Sequence, residues 1–173
     1  MNDTSTESAL LARVRVGDAE ALGELFARFA GPLHRAALHL TGSAADADDV
    51  VQDVFVGLPE ALRGYEVRVS LSGWLRKVAV RAALTRLRRA ERRREDRLDD
   101  VDEPGGADRE IERLDVERLI ARLPATLRPV LVLKEIEGYT HAEIGRLLGI
   151  SESASEVRLY RAKQLLRKQL RDT

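Results

Sequence analysis

The chain has 173 residues, of which 44% are hydrophobic, and this length and composition fit one ordinary domain or two small ones. They exclude a chain that is disordered throughout, and the absence of cysteine excludes both disulfides and thiolate metal sites. The net charge is zero, with 29 basic and 29 acidic residues, so a basic surface must come from uneven placement of charge along the chain.

The first residues, MNDTSTESALLARVRVGD, have neither the basic start nor the apolar run of a signal peptide. No segment of the sequence reaches the roughly 18 consecutive apolar residues that a membrane span requires. The lack of cysteine also fits a reducing compartment. We therefore expect a cytoplasmic protein with no membrane insertion.

Three segments of the first half carry apolar residues at the spacing of one helical face. They are Leu22, Leu25, Phe26, Phe29, Leu33, Ala36, Ala37 and Leu40; then Val50, Val51, Val54, Phe55 and Leu58; then Leu75, Val78, Ala79, Ala82 and Leu87. No alternating run of β-branched residues competes with them, so residues 1–89 are predicted to form a helical bundle. Within it, Gly57 and Pro59 predict a kink or break near Val56, because proline lacks a backbone donor.

The middle of the chain combines a basic block, an acidic block and a segment without apolar periodicity. Residues 76–97 contain ten basic and three acidic side chains, whereas residues 98–117 contain two basic and nine acidic ones. Residues 90–109, which include a Pro-Gly-Gly sequence, have the composition of a flexible linker. Helical periodicity resumes at Ile111. The predicted fold class is therefore all-α, with two small helical domains, 1–89 and 110–173, joined by a flexible linker.

The second predicted domain contains the pattern of a helix-turn-helix. The segment from Thr140 to Leu148 is a short amphipathic helix, Gly149 can supply the positive φ of a sharp turn, and Ser151 is a suitable N-cap for the next helix. That helix runs to about Arg171 with basic residues on its outer face. In such a motif the start of the second helix meets base edges of DNA. The alternative is a pair of packed helices with a solvated basic face.

Three motifs, in order, resemble those of extracytoplasmic-function (ECF) sigma factors. LTGSAADADDVVQDVFVGL is similar to the family's polymerase-docking segment, GYEVRVSLSGWLRKVAVRAALTRLRRAERRR to its −10 reading segment, and GYTHAEIGRLLGISESASEVRLYRAKQLLRK to its −35 reading domain. The resemblance covers about residues 20–171. It implies a protein that binds core RNA polymerase and directs it to promoter DNA, with sigma region 2 in the first domain and sigma region 4 in the second.

The resemblance assigns the first motif to docking on the clamp coiled coil of the largest polymerase subunit, and it implies a further contact with the flap of the second subunit. The implied docking residues are Asp46, Asp48, Asp49, Val50, Gln52, Asp53 and Phe55. Carboxylates suit this role because an acidic rim speeds and orients association with a basic partner. The alternative is a capped, solvated helix start. A calcium loop is disfavoured because the acids lack its Asp-x-Asp-x-Asp-Gly spacing.

The resemblance assigns the second motif to the −10 element, where a loop captures a flipped base and arginines hold the strand's phosphates. The implied residues are Tyr65, Arg68, Ser70, Arg76, Lys77, Arg81, Arg86, Arg88 and Arg89. Trp74 is expected in the core, and a solvated basic face is the alternative at any single arginine. The family pattern has Asn at the position of Arg81 and often Asp at that of Thr85, which puts the −10 preference in doubt.

The third motif places the start of the second helix of the helix-turn-helix on the −35 element. The implied residues are Ser151, Ser153, Ser155, Glu156, Val157, Arg158, Tyr160, Arg161 and Lys163. Glu156 stands where the family has a basic residue, and Glu156, Val157, Tyr160 and Arg161 are expected to face bases. A carboxylate can accept from cytosine N4 and valine can contact a thymine methyl, so an atypical −35 element is predicted.

No enzyme chemistry is predicted, since the sequence has no Gly-rich phosphate loop and its three histidines, His34, His39 and His141, lack metal-ligand spacing or a nucleophile partner. No catalytic residue, metal or cofactor is assigned. Two other functions stay open: a dimeric, free-standing helix-turn-helix regulator, and an interaction protein that occupies polymerase or an anti-sigma factor without starting transcription. The resemblance also implies an anti-sigma factor as a partner, because many family members are held inactive by one.

Overall fold

The computed structural model describes residues 3–65, 70–95 and 116–171 of the chain. The first bundle consists of α1 (Asp3–Arg15), α2 (Ala19–Thr41), α3 (Ala44–Ala61) and α4 (Leu71–Glu95), with a short 3-10 turn at Leu62–Gly64. The second bundle consists of α5 (Val116–Ala121), α6 (Arg128–Leu131), α7 (His141–Leu148) and α8 (Glu152–Arg171), and α6 continues into a π-helical turn at Val132–Ile136. The described ranges contain no strand, so the predicted all-α class with two small helical domains is confirmed.

Local capping sets the tight connection between α2 and α3. Asp18 begins α2 as its N-cap, where its carboxylate accepts from the backbone N–H of Ala21. Gly42 ends the helix with a φ of 70°, a left-handed conformation that glycine adopts without steric cost. Ser43 then caps α3 by accepting from the backbone N–H of Asp46. The two helices are therefore antiparallel neighbours after a turn of two residues.

The apolar faces of α2, α3 and α4 meet in the core of the first bundle, as their periodicity predicts. Leu25, Leu58 and Leu75 have no exposed side-chain surface. Phe26 is an exception, because it was predicted on the core face of α2 and is 47% exposed. It packs against Phe55 of α3 at the edge of the core, where nearly half of its surface stays open to solvent.

Two other sequence predictions for this bundle are corrected by the structure. Helix α3 is continuous through Gly57 and Pro59, so the predicted break near Val56 is wrong. The proline removes one backbone hydrogen bond, and the fully buried Leu58 beside it holds the segment on the core. Helix α4 runs to Glu95, six residues into the predicted linker, since arginine, alanine and glutamate are good helix formers and no Gly or Pro intervenes. The rest of the predicted linker lies outside the described residues.

The second bundle encloses a smaller core. Its buried side chains include Leu123, Val130, Leu133 and Ile144, all at positions where apolar periodicity predicts an inner face. Ile111, where helical periodicity was predicted to resume, lies outside the described part of the chain. None of the described helices is both long and apolar enough to cross a membrane.

The two bundles contact each other through α2, which touches α5 and α6, and through α4, which touches α7. Arg128, at the start of α6, is only 5% exposed and lies at this junction. Its guanidinium donates to the carbonyl oxygen of Thr41, the last residue of α2, at 2.5 Å. It also donates to the carbonyl oxygens of Ile120, Ala121 and Leu123 at the end of α5, at 3.2, 2.8 and 2.8 Å. One buried cation therefore joins the carboxyl ends of two helices from different bundles.

Candidate nucleic-acid and partner interfaces

The helix-turn-helix is fixed by caps at both sides of its turn. Thr140 and Glu143 form a capping box at the start of α7: the Thr140 hydroxyl accepts from the Glu143 N–H, and the Glu143 carboxylate accepts from the Thr140 N–H. These bonds hold the pKa of Glu143 below its ordinary value. Gly149 ends α7 with a φ of 69°, and the Ser151 hydroxyl accepts from the Ala154 N–H at 3.1 Å. The predicted turn glycine and N-cap serine are both confirmed.

Close approach of the turn to α7 also depends on a second glycine. A Cβ on Gly145 would lie 2.7 Å from the carbonyl oxygen of Ile150, which is a backbone atom that cannot move aside easily. The N–H of Ile150 donates to the carbonyl oxygen of Gly145 at 3.0 Å. The angle between α7 and α8 is therefore set by backbone contact.

Most residues predicted to read the −35 element lie on the open side of α8. Ser151, Ser153, Glu156, Val157, Tyr160 and Arg161 are exposed, and Arg158 and Lys163 are half-buried. Val157 and Tyr160 are 49% and 64% exposed, which is unusual for large apolar side chains on a packed helix. The start of α8 thus presents an acidic, an apolar and a basic group together on one surface.

Ser155 is the exception among these residues, because its side chain is fully buried. Its hydroxyl lies 2.9 Å from Nδ1 of His141, at the start of α7, and this hydrogen bond satisfies a polar group inside the helix-turn-helix. Ser155 therefore faces α7 and lies apart from the exposed residues of the predicted −35 surface. Lys163 is also engaged, because its ammonium lies 2.9 Å from the Glu135 carboxylate.

The basic face of α4 surrounds a shallow hollow. Its lining includes five arginines, of which Arg81, Arg89, Arg92 and Arg93 are exposed and Arg86 is half-buried. Arg92 and Arg93 were not among the predicted residues, although the run of arginines that contains them signals a basic surface. Lys77 and Arg88 are exposed on the same helix. These side chains give α4 a surface that a phosphate backbone can approach.

Arg86, a predicted −10 contact, is held by carboxylates of α3 instead. Its Nε donates to Asp46 at 2.9 Å, one Nη donates to Asp49, and the other lies 3.8 Å from Asp53. The hydrogen bond to Asp46 is the main cause of a raised pKa at Arg86. The positive charge of Arg86, a predicted DNA contact, is therefore neutralised by carboxylates that were predicted to dock on polymerase.

Arg76, a second predicted −10 contact, is paired with the other bundle. Its Nε and one Nη donate to the two oxygens of the Glu137 carboxylate at 2.6 and 2.9 Å. The Glu137 side chain is 3% exposed and that of Arg76 is 45% exposed. This bidentate bond raises the pKa of Arg76.

The predicted base-capture loop is described only at its ends. Tyr65 is 6% exposed and its ring lies 5.0 Å from that of the half-buried Trp74, so Tyr65 is a core residue here and not an open stacking surface. Burial raises the pKa of its phenol. Ser70 is exposed and caps the start of α4 by accepting from the Gly73 N–H. Arg68 lies outside the described residues.

The predicted docking residues include an exposed set and a core set, and the remaining two, Asp46 and Asp49, are half-buried beside Arg86. Asp48, Gln52 and Asp53 are exposed, whereas Val50 and Phe55 are 1% and 5% exposed and support α3 from inside. Asp48 lies 3.2 Å from the His34 imidazole of α2.

An apolar groove between α2 and α3 adjoins the exposed docking acids and was missed by sequence reasoning. Asp48, Gln52, Phe26 and Val56 line it, and Val56 is 75% exposed. The rings of Phe26 and Phe55 make an edge-type contact with their centroids 4.9 Å apart. The signal in the sequence was the run of Val54, Phe55 and Val56, because three consecutive apolar residues span about 200° of a helix and do not all fit on one buried face.

The chain matches two family models along its length. Sigma-70 region 2 matches residues 25–93, and Sigma-70 region 4 matches residues 113–166. The ECF RNA polymerase sigma factor SigM of Mycobacterium tuberculosis is 32% identical over 162 residues, which cover 93% of this chain and 83% of SigM. The RNA polymerase sigma factor CnrH of Cupriavidus metallidurans is 31% identical, over 96% of this chain and 95% of CnrH.

Solved structures share the fold. The structure of CnrH in complex with the cytosolic domain of CnrY aligns with a TM-score of 0.51 at 30% identity, covering 95% of this chain and 96% of CnrH. The sigma factor RpoE in complex with the anti-sigma factor NepR, from Bartonella quintana, aligns with a TM-score of 0.59 at 18% identity, covering 86% of this chain and 96% of RpoE. The second likeness concerns the fold alone.

Proposed function

The chain belongs to the ECF sigma factors, the proteins that direct RNA polymerase to promoters, and we propose that its two bundles divide this work. In this proposal the first bundle, which includes α4 to Glu95, docks on core polymerase and holds the −10 element, residues 110–173 read the −35 element, and the rest of the predicted linker joins them. The observation that carries the proposal is the exposed start of α8, set by the capped turn from α7, on the same chain as an arginine-lined helix. Two DNA-facing surfaces on one chain suit a bipartite promoter.

Docking on polymerase would use the α2–α3 groove and its acidic edge. Covering exposed apolar side chains such as Phe26 and Val56 with a partner removes apolar surface from water, which makes the free energy of binding more favourable. Asp48 and Gln52 at the edge would orient the partner by charge and hydrogen bonding. The clamp coiled coil of the largest polymerase subunit is the proposed occupant, and the second bundle would contact the flap of the second subunit.

Binding of the −10 element would use the exposed arginines of α4. Arg81, Arg89, Arg92 and Arg93 line one hollow and can contact successive phosphates of a single strand. Phosphate contacts fix the strand's position but carry no sequence information. The base preference would therefore come from the segment that is predicted to capture a flipped base, which begins at Tyr65.

Reading of the −35 element would use the first turns of α8. Glu156 and Arg161 are exposed there beside the apolar side chains of Val157 and Tyr160. A carboxylate can accept from cytosine N4, an arginine can donate to guanine, and a valine can contact a thymine methyl. The combination favours a −35 element that differs from one read by a basic residue at position 156.

An anti-sigma factor is a further proposed partner, supported by two relatives. CnrH is bound to the cytosolic domain of CnrY, and RpoE of Bartonella quintana to the anti-sigma factor NepR. A protein that meets RNA polymerase and promoter DNA would work in the cytoplasm. Its proposed role is not enzymatic, because a sigma factor acts through binding.

In-vitro transcription with purified core polymerase tests the function. We expect promoter-specific transcripts only when the chain and core polymerase are both present, and weak duplex binding by the chain alone. A free-standing regulator would instead bind duplex operator DNA without polymerase. An interaction protein would bind polymerase and give no transcript from any promoter in a selected genomic library.

The docking groove can be tested with one exposed apolar residue and a matched control. Val56→Asp should weaken core-polymerase binding by about tenfold or more, since it places a charge where an apolar contact is proposed. Leu170→Asp makes the same kind of change at a residue that is 61% exposed near the end of α8. Equal affinities for the two variants would contradict docking at the groove.

The −35 assignment can be tested by selecting promoter DNA with the reconstituted holoenzyme. We expect Glu156→Lys to change the selected base at one position, with discrimination of about 1–3 kcal/mol. Recovery of an ordinary family −35 motif by the wild type, with no change in Glu156→Lys, would contradict base reading by Glu156.

A further inference from the structure

We propose that Arg15, at the end of α1, is a positioning residue for the −10 element, because it holds the turn from which the predicted base-capture loop starts. Its effect would be on how well the loop distinguishes one base from another, without a contact to DNA of its own. This role rests on the proposed function of the loop in −10 reading. The hold of Arg15 on the turn can be measured without polymerase.

The guanidinium of Arg15 bridges the two ends of the 3-10 turn that follows α3. Its Nε donates to the carbonyl oxygen of Leu62 at 3.2 Å, and one Nη donates to the carbonyl oxygen of Tyr65 at 3.3 Å. The Leu62 carbonyl oxygen also accepts from the N–H of Tyr65, at 3.2 Å, and this bond closes the turn. One side chain of α1 therefore holds both ends of a turn that lies 47 to 50 positions later in the chain.

The carbonyl group of Tyr65 matters because it belongs to the peptide plane by which the chain leaves this residue. A peptide bond is planar, so a donor that fixes the carbonyl oxygen also fixes the direction of the next backbone bond. A site that receives one base needs its groups held within about 0.5 Å. We infer that α1 sets the direction in which the predicted base-capture loop starts.

Tyr65 is anchored by other elements as well, so loss of Arg15 should leave the fold intact. Its ring lies 5.0 Å from the ring of Trp74 in α4, and the residue is 6% exposed. Leu62 has no exposed surface. At the other end of the predicted loop, the Ser70 hydroxyl caps α4. Removal of the Arg15 bonds would therefore free the carbonyl group of Tyr65 while the ring stays packed.

Helix α1 is a firm base for this contact, because its inner side is buried in the first bundle. Leu11 and Val14 are 2% and 0% exposed. Arg13 ties the end of the helix to the start of α2, with its Nε 2.7 Å from the Asp18 carboxylate. The described ion pairs of Arg13 all join carboxylates at the start of α2 and none joins the turn. The bonds of Arg15 can thus be removed separately from the attachment of α1.

Hydrogen exchange of the free chain measures the hold of Arg15 on the turn. We expect Arg15→Ala to speed exchange of the Tyr65 amide by about twofold to tenfold, the range that corresponds to one hydrogen bond. Arg13→Ala is the matched control, since it removes a guanidinium from the same helix with the same change in charge. It should leave this amide at the wild-type rate. Equal exchange in the two variants would overturn the anchoring of the turn by Arg15.

Transcription by the reconstituted holoenzyme measures the effect on base choice. With promoters that differ at single −10 positions, Arg15→Ala should lower the ratio of transcript from the preferred base to that from a substituted base by about twofold to tenfold. Arg13→Ala should keep the wild-type ratio. Arg15→Lys, which retains the charge and can donate to the same carbonyl oxygens, should recover part of the ratio. Circular dichroism would establish that each variant is folded at the temperature of the measurement.

The outcomes separate a positioning role from the alternatives. An unchanged ratio in Arg15→Ala, or an equal loss in Arg13→Ala, would overturn the role in base choice. A smaller salt slope of promoter binding in Arg15→Ala would show that Arg15 contacts a phosphate, and would overturn it as well. Failure of the wild type to initiate transcription from any promoter would instead reject the proposed function, while hydrogen exchange would still decide whether Arg15 anchors the turn.

Discussion

The two basic helices of this protein, α4 and α8, differ in how their charges are engaged. On α4, Arg76 is bound by Glu137 and Arg86 by carboxylates of α3. On α8, Glu156 and Arg161 are exposed at the surface of the helix-turn-helix. Part of the charge of α4 is therefore engaged inside the molecule, whereas α8 presents Glu156 and Arg161, which are proposed to read the −35 element, to solvent.

This difference shows that a basic helix is not equivalent to an available nucleic-acid surface. Arg76 and Arg86 of α4 hold helices together through ion pairs, whereas Arg81, Arg89, Arg92 and Arg93 remain exposed around the hollow. The comparison predicts that substitutions on the engaged residues change stability first, and that substitutions on the open residues change DNA binding first.

The largest expected effect is at Arg128, where the two bundles join. Arg128→Ala removes a buried cation that bonds to four carbonyl oxygens, and we expect the free energy of unfolding to fall by about 2–4 kcal/mol. We also expect a single unfolding transition in urea to separate into two, because the bundles lose their shared bond. Circular dichroism, compared with tryptophan fluorescence from Trp74 in α4, would reveal the separation.

Arg128→Lys is the informative comparison at this position. It keeps the charge but reaches fewer carbonyl oxygens, so its stability should lie between those of the wild type and Arg128→Ala. A transition as cooperative in Arg128→Ala as in the wild type would show that Arg128 does not couple the bundles.

At Arg86 we expect a smaller loss, about 1–2 kcal/mol for Arg86→Ala, because removal of the guanidinium leaves three carboxylates of α3 facing one another in partly exposed surroundings. The measurement is urea unfolding at low and high salt, where screening should reduce the difference from the wild type.

Oligonucleotide binding distinguishes the two roles of Arg86. If its role is within the fold, the salt dependence of single-strand binding should equal that of the wild type, whereas Arg89→Ala should reduce the salt slope by about one ion. A reduced slope for Arg86→Ala would place Arg86 among the phosphate contacts and weaken the contrast between the helices.

Two serines on α8 allow a comparison of buried and exposed hydroxyls. Ser155→Ala removes the partner of His141 inside the helix-turn-helix and should lower stability by about 1 kcal/mol without changing base preference. Ser153→Ala, at an exposed position two residues earlier, should leave thermal stability nearly unchanged. Calorimetry measures both, and equal melting temperatures would contradict the structural role of Ser155.

The smallest effect concerns pH and the capping box of α7. Because the pKa of Glu143 is lowered by its bonds to Thr140, its contribution to stability is complete above the unfolded pKa of 4.5 and is lost as pH falls through the lower folded pKa. Glu143→Gln keeps an acceptor without a titrating charge, so its stability difference from the wild type should shrink in acid. A difference that stays constant with pH would contradict this linkage.

Local sequence determined the helices and their caps. The apolar faces of α2, α3 and α4, the φ of Gly149 and the N-cap Ser151 were all predictable, because helix periodicity and capping depend on residues within about four positions of each other. The order of the three motifs along the chain was also sufficient to indicate the family. The predicted break near Val56 was wrong, because burial of Leu58 outweighs the one hydrogen bond that Pro59 removes.

Only the tertiary structure decided which charged and apolar residues are available. Arg76 meets Glu137 across 61 positions, and Arg128 meets Thr41 across 87. Which face of α2 stays uncovered, leaving Phe26 in a groove, depends likewise on where α3 lies. Such contacts join residues far apart in the chain, so local periodicity carries no information about them. They form only when the helices pack and bring oppositely charged or polar groups from distant parts of the chain within hydrogen-bonding distance.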